Sequence, residues 1–446
     1  MASPQTCPVC RQEVPEESLS VALDDDVRSL VADNTPGWDP ESGLCGDCAR
    51  RFSEAHAYLR TRHPRLTSSD HSILPTPVRL GALDRYRGRG VTIAFLDAGF
   101  HAHPDLVRPT NRIVHYVDMT NRRAGERGLR EPNPSSWHGM MTSVVACGNG
   151  GLSGGLYRGI ASESRLVLVK CGSVRRVKHD DIRRGFEWVL RHRKRFGIRI
   201  VNVSCGGDYE ASYLSDGLSQ AAERATREGI LVCAAVGNAG HVPNHPVLPP
   251  ASAPSVLTVG GLDDKNSLAF RGYDMYHSSY GPTLDGLQKP EVIAPGIWVA
   301  APILPGTPTA AQADLLVRLG SATDLELDTL LEGHAGVDPD LDAARHLAPP
   351  LIRELVRAKV GDNNVISGAY KHVDGTSFAA PIVASVAAQM LEANPSLSPQ
   401  ETRRILIGTA RRLRHIPVDR QGWGVVDPQA AVLEAVRLSR EEKKKA

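Results

Sequence analysis

Val91-Thr92-Ile93-Ala94-Phe95-Leu96-Asp97-Ala98-Gly99 is the stretch on which the fold of this chain is decided. Its apolar run is too short for a helix and does not alternate, so it reads as a strand covered on both faces, as parallel sheets require. It delivers a carboxylate at its C-terminal end, where open α/β sheets build their sites. Comparable runs recur at Arg165–Cys171, Ile198–Cys205, Ile230–Val236 and Ser255–Gly260, with amphipathic stretches at Asp180–Phe196 and Ala211–Glu228 between them. The pattern predicts an α/β fold over residues 73–436: a doubly wound, mainly parallel sheet flanked by helices. The basic run Arg191-His192-Arg193-Lys194-Arg195 is read as a solvated helix face.

Outward from this core, the alternation breaks over 303–364, where Pro/Gly punctuation and acidic helical pieces (Thr309–Leu319, Leu351–Val360) predict an inserted helical subdomain. In the second piece Leu351, Ile352, Leu355 and Val356 fall on one face. Residues 437–446 read as a charged, frayed tail. At the other end, Cys7-Pro-Val-Cys10 and Cys45-Gly-Asp-Cys48 form two C-x-x-C pairs. Such pairs complete a tetrahedral sulfur shell, so Cys7, Cys10, Cys45 and Cys48 are assigned to a structural zinc ion in a ribbon-like module over residues 1–72, with a short helix around Ala49–Tyr58. Residues 11–44 carry nine acidic side chains and two arginines. Phosphate would be repelled there, so the module is expected to serve stabilisation or contact with a regulatory protein, not nucleic acid.

The 446 residues hold 52 Lys+Arg against 50 Asp+Glu, a net charge of +2, too even for a chain devoted to nucleic acid or an anionic membrane. No segment approaches the roughly 18–20 apolar residues of a membrane span. The N-terminus lacks the basic start and apolar run of a secretory signal, which makes a cytoplasmic location the expectation. The other cysteines, Cys147, Cys171, Cys205 and Cys233, sit singly in apolar segments and are expected to be packing residues.

Three segments carry chemistry. Asp97 ends the first strand, Trp137-His138-Gly139 opens a helical run through Cys147, and Asp374-Gly375-Thr376-Ser377-Phe378-Ala379-Ala380-Pro381 turns into an Ala-rich helix. Pro381 is expected in the first turn, where a missing amide hydrogen is harmless. A hydroxyl becomes a nucleophile when an imidazole takes its proton and a carboxylate holds that imidazole, and Asp, then His, then Ser is a known chain order for the set. Singly, each residue has a plainer reading as a cap or turn residue.

From about residue 73 to about 435 the chain resembles the subtilisin-like serine proteases, the subtilase family. Further segments are similar: His103-Pro-Asp-Leu106, Gly159-Ile-Ala161, Val201-Asn-Val-Ser-Cys-Gly-Gly207, Ala234-Ala-Val-Gly-Asn238-Ala-Gly240 and Ser278 to Gly296. The resemblance implies Ser377 as nucleophile, His138 as general base and then acid, Asp97 as the orienting carboxylate and Asn238 as an oxyanion donor. It implies that Ser204, Cys205, Gly206 and Gly207 face Ala235, Val236 and Gly237 across a specificity pocket that takes an extended peptide, and that Pro250 is cis. Calcium is compatible with it, but no ligand set is assigned. Three positions depart from the family pattern: Ala98 and Met140 replace small hydroxyl residues beside the triad, and Cys205 replaces an apolar residue at the pocket wall, as a small buried thiol can. His101, His103 and Asp105 are read as loop and packing residues, and His179-Asp180-Asp181 as an acidic helix start. The expected activity is intracellular serine endopeptidase, with regulated, limited proteolysis; the alternative is a catalytically silent scaffold that binds proteins through the same groove.

Overall fold

The computed structural model describes residues 4–15, 18–19, 22–62, 73–82, 85–121, 125–173, 176–269 and 272–445, with backbone only at 61–62 and 442–445. The last part of the expected N-terminal module, 63–72, read as a short linker, lies outside them. Seven parallel strands form the central sheet: β1 (Thr92–Asp97), β2 (Ile113–Asp118), β3 (Arg165–Lys170), β4 (Ile198–Val203), β5 (Leu231–Ala235), β6 (Leu257–Asp263) and β7 (Val292–Pro295). Their order is β7-β6-β5-β4-β1-β3-β2, and Asp274–Met275 adds a short antiparallel strand beside β6. Strand β1 lies inside the sheet, with Leu96 opposite Val203 of β4 and Asp97 opposite Lys170 of β3. Later strands run outward from it in both directions, so Asp97 stands at the topological switch point. Ile93, Ala94, Phe95 and Leu96 are fully buried, which is why their run does not alternate.

Strands β2 and β7 were not read from the sequence. β2 is an edge strand whose Ile-Val-His-Tyr-Val-Asp is only partly buried, and β7 has four residues. Helices α1 (Asp25–Asn34), α2 (Gly46–Arg62), α3 (Ser136–Cys147), α4 (His179–Phe196) and α5 (Gly217–Arg227) follow in chain order. Helix α5 begins at Gly217, not at Ala211. The Asp216 carboxylate caps it by accepting from Ser219 N at 2.6 Å, while Ser212 and Tyr213 are held outside the helix by Asp285.

The insertion contains α6 (Pro308–Ser321), α7 (Asp324–Gly333), α8 (Pro339–Ala344) and α9 (Pro349–Asp362). It is strung between two antiparallel strands, β8 (Val299–Pro302) and β9 (Tyr370–Val373). It has its own core, with Leu316, Leu319, Leu327, Leu331, Ile352 and Val356 among its members. Leu351 does not join that core and is 51% exposed: it lies about 100° around α9 from Ile352, in the first turn. Helix α10 (Thr376–Ala393), buried along almost its whole length, packs against β4 to β7 and against α3. Helix α11 (Pro428–Lys445) runs on through residues 437–445 of the charged tail, with Arg437 paired to Glu434 and Glu441 on its surface.

The N-terminal module shares its core with the larger domain. Val31, Phe52, Ala55 and Leu59 pack with Leu74, Val78, Leu156 and Leu268. Tyr58 donates its hydroxyl to the Gly155 and Leu156 carbonyls, and Leu268 N donates to Asn34 Oδ1 at 3.0 Å.

Candidate active site

Strand β1 and helix α3 place their polar ends together. His138 Nδ1 lies 2.6 Å from Asp97 Oδ1, and Asp97 is 1% exposed. Two further donors fix the carboxylate: Ala98 N reaches Oδ1 at 2.7 Å and Thr142 Oγ1 reaches Oδ2 at 3.1 Å. Thr142, one helical turn beyond His138, is a residue that the sequence reading missed. It supplies the side-chain hydroxyl that Ala98 and Met140 lack, and Met140, two residues before it, is buried in the core. The i, i+4 spacing from His138 was the available signal. Burial disfavours the charged imidazole, but the neighbouring Asp97 carboxylate outweighs it and raises the His138 pKa above its ordinary value.

The imidazole packs toward the serine turn, its ring 5.9 Å from that of Phe378. Gly375 has φ of 137°, a conformation that favours glycine, and its N–H is held by Gly296 O at 2.7 Å. Ser377, second residue of α10, donates its hydroxyl to the Ser204 carbonyl at 3.1 Å, and among the described residues no hydrogen bond joins it to His138. Catalytic hydrogen bonds often tighten only with substrate bound. Pro381 lies in the second turn of α10, not the first. The carbonyl it deprives of a partner is that of Ser377, and the Ser204 hydroxyl donates to it at 2.8 Å. Ser204 therefore grips Ser377 twice. Ser204→Ala is expected to cost about 1 kcal/mol of stability, read as a lowered thermal midpoint, with a several-fold fall in kcat.

Asn238 Oδ1 accepts from Thr376 N (3.0 Å) and Thr376 Oγ1 (2.8 Å), so the amide nitrogen of this exposed residue faces away from Thr376. Thr376 was not singled out from the sequence as a partner of Asn238.

The model of the family described as Subtilase family matches residues 88–424. The chain belongs to the subtilase family. It is 29% identical to the serine protease AprX of Bacillus subtilis over 356 residues, 77% of this chain and 66% of that protein. It is also 29% identical to subtilisin BL of Lederbergia lenta over 212 residues, 47% of this chain and 65% of that protein. The chain thus spans slightly less than two thirds of the length of these relatives. A solved protease structure from Pseudoalteromonas arctica covers 81% of this chain and 94% of its own at 23% identity, with a TM-score of 0.53, a likeness of fold.

Around this subtilase site, Gly206 is exposed, whereas Gly207 is buried with its N–H given to Pro249 O at 2.7 Å. Cys205 turns its sulfur back to Leu96 O at 3.6 Å, and burial together with Asp97 pushes its thiol pKa well up. Burial likewise pushes Cys147 to about 12 and Cys171 well up, so these are protonated packing thiols. Across the cleft, Ala235 is half-buried, Val236 is buried and Gly237 takes φ of 107°. Pro250 follows a cis bond. His103 is fully buried, accepts from Asp105 N and is pushed down to about 4 by burial. His179 pairs with Asp216 at 2.6 Å, and Asp180 and Asp181 pair with Arg183 and Arg184.

Away from the cleft, the sulfurs of Cys7, Cys10, Cys45 and Cys48 lie within 4.8 Å of one another, with Cys7–Cys48 at 3.9 Å and Cys10–Cys45 at 3.7 Å. Tetrahedral zinc with bonds of about 2.3 Å separates its sulfurs by about 3.8 Å. The cluster could hold a metal ion. Just beyond Cys48 on α2, Arg51 donates to the Arg79 carbonyl. Arg79 itself pairs with Asp264 and donates to Trp298 O, while Trp298 N reaches Asp374 at the head of the serine turn. Among the described residues no helix is long and apolar enough to cross a membrane.

Proposed function

We propose that this chain is a serine endopeptidase that hydrolyses peptide bonds of proteins through an acyl-enzyme on Ser377. The observation that carries the reading is the His138–Asp97 pair, clamped by Thr142 and Ala98 N, beside a glycine turn that presents Ser377 and Asn238 together. His138 takes the Ser377 proton as Oγ attacks the carbonyl carbon, and Asp97 stabilises the resulting imidazolium. The negative charge on the carbonyl oxygen is met by the Asn238 amide and the Ser377 N–H, which has no backbone partner among the described residues in the first helical turn. His138 then gives its proton to the departing nitrogen, and water resolves the ester by the reverse relay. An extended peptide would pass Gly206, with Ala235–Gly237 opposite, and hydrogen-bond largely through its backbone.

Zinc at Cys7, Cys10, Cys45 and Cys48 is part of this reading, supported by the sulfur spacing; its role would be structural, and its module could receive a regulatory protein. An intracellular setting, where thiols stay reduced, fits that cluster. The test is cleavage of an unfolded protein substrate followed by mass spectrometry. Ser377→Ala and His138→Ala are each expected to lose about 10⁶ in kcat, the size of the loss in a related subtilisin. Equal cleavage by the variants would refute the reading.

A further inference from the structure

Next to His138 lies an apolar cavity of about 530 Å³ that the hydrolytic machinery leaves unused. Its walls include Pro134, Trp137 and Met141 on the His138 side, Leu304 at the root of the insertion, and Lys371 and Val373 on β9. Trp137 stands edge-on to the His138 ring at 5.1 Å and is 41% exposed. On β9, alternation puts Lys371 and Val373 on the cavity face and Tyr370 and His372 on the other. Tyr370 is anchored there by its hydrogen bond to the buried Asp105 carboxylate. The lining is mostly apolar, and Lys371 is its one basic side chain. Its ammonium makes no ion pair among the described residues, and burial lowers its pKa.

The position of the cavity names its occupant. A leaving nitrogen must lie within reach of the imidazole that protonates it. The residue carrying that nitrogen therefore meets what flanks His138: Trp137 before it, Met141 a turn later, and the strand that runs on to Ser377. The geometry points to a leaving-side subsite, walled by the insertion, that selects a large apolar side chain in a segment bearing a carboxylate for Lys371. The volume exceeds that of any single side chain, so it has room for an aromatic or leucine side chain together with the residue that follows it. A half-buried ammonium without a counter-charge is costly, and an acidic side chain or a chain-terminal carboxylate on the leaving segment would supply one. This inference rests on the roles given above to Ser377 and His138.

Partitioning of the acyl-enzyme tests it. An N-acyl amino-acid methyl ester loads Ser377, and added amines compete with water. The amine nitrogen attacks the ester carbonyl, His138 takes its proton and returns it to the departing Ser377 Oγ, and an amide forms. Phenylalaninamide is expected to outcompete glycinamide by at least about tenfold. Phe-Glu-amide should outcompete Phe-Gln-amide, or Phe-Gly acid its amide, by about three- to fivefold; the first pair reads a side-chain acid and the second a chain terminus. Trp137→Ala and Leu304→Ser should collapse the first ratio, and Lys371→Gln only the carboxylate ratio. Because each is a ratio on one acyl-enzyme, loss of folded protein cancels. Equal use of phenylalaninamide and glycinamide by an enzyme that turns over the ester would overturn the subsite and leave the protease reading standing. No carboxylate preference in either pair would overturn the role of Lys371. Failure to form any acyl-enzyme would overturn both readings.

Discussion

Asp97→Asn is expected to lower kcat by about 10⁴-fold, the scale seen when the triad aspartate of other serine proteases is neutralised or removed. The shape of the site would survive. Ala98 N can still donate to the remaining amide oxygen, and Thr142 can accept from the new NH₂ while donating to Gly139 O, which its hydroxyl already reaches at 3.1 Å. What disappears is the negative charge against the imidazolium. The same charge raises the His138 pKa against the opposing effect of burial. The base must be neutral to accept the serine proton, so activity is lost as pH falls through its pKa. Removing Asp97's charge lowers that pKa, and the acid limb of the kcat/KM profile is expected to move to lower pH. A variant with unchanged kcat and an unmoved limb would mean that His138 is not the base.

Metal removal is expected to have the second largest effect. The four sulfurs join the hairpin of Pro4–Thr6 and Glu13–Pro15 to the start of α2, and the module beneath them has few residues with which to build a core. Structural zinc in small modules supplies folding free energy directly, about 10–16 kcal/mol in isolated zinc-finger peptides. Here the module also covers Leu74, Val78, Leu156 and Leu268, and α2 carries Arg51 to the Arg79 carbonyl. Chelation, or Cys48→Ser, is expected to release the metal, expose that apolar face and lower the thermal midpoint by about 10 °C, the equivalent of several kcal/mol in a domain of this size. Elemental analysis should find one zinc per chain before treatment. An unchanged midpoint in a protein stripped of metal would contradict a structural role.

The parts of the fold that could be read in advance were those whose physics is local. The runs at Val91, Arg165, Ile198, Ile230 and Ser255 are strands because both faces are buried, and burial on both faces leaves an unbroken apolar run. β2, half-exposed at the edge, carries no such run. The start of α5 was misplaced because Asp285, remote in sequence, holds Ser212 and Tyr213 out of the helix. At the candidate site, the sequence singled out Asp97, His138, Ser377 and Asn238 through their segments, but not the groups that orient them. Thr142 depends on helical phase, Thr376 on an amide turned by tertiary contact, and the Ser204–Ser377 exchange on a proline one turn further into α10 than expected. The insertion showed its helices in sequence, whereas the cavity it walls against Trp137 required the packing of three separate segments.

The central claim is that Ser377 is a nucleophile activated by His138, and covalent labelling tests it most directly. The purified chain is treated with a fluorophosphonate probe, digested and mapped by mass spectrometry. One adduct on the peptide carrying Ser377 is expected, absent from Ser377→Ala and slowed by orders of magnitude in His138→Ala. A folded wild-type chain that takes no label at Ser377 would contradict the account.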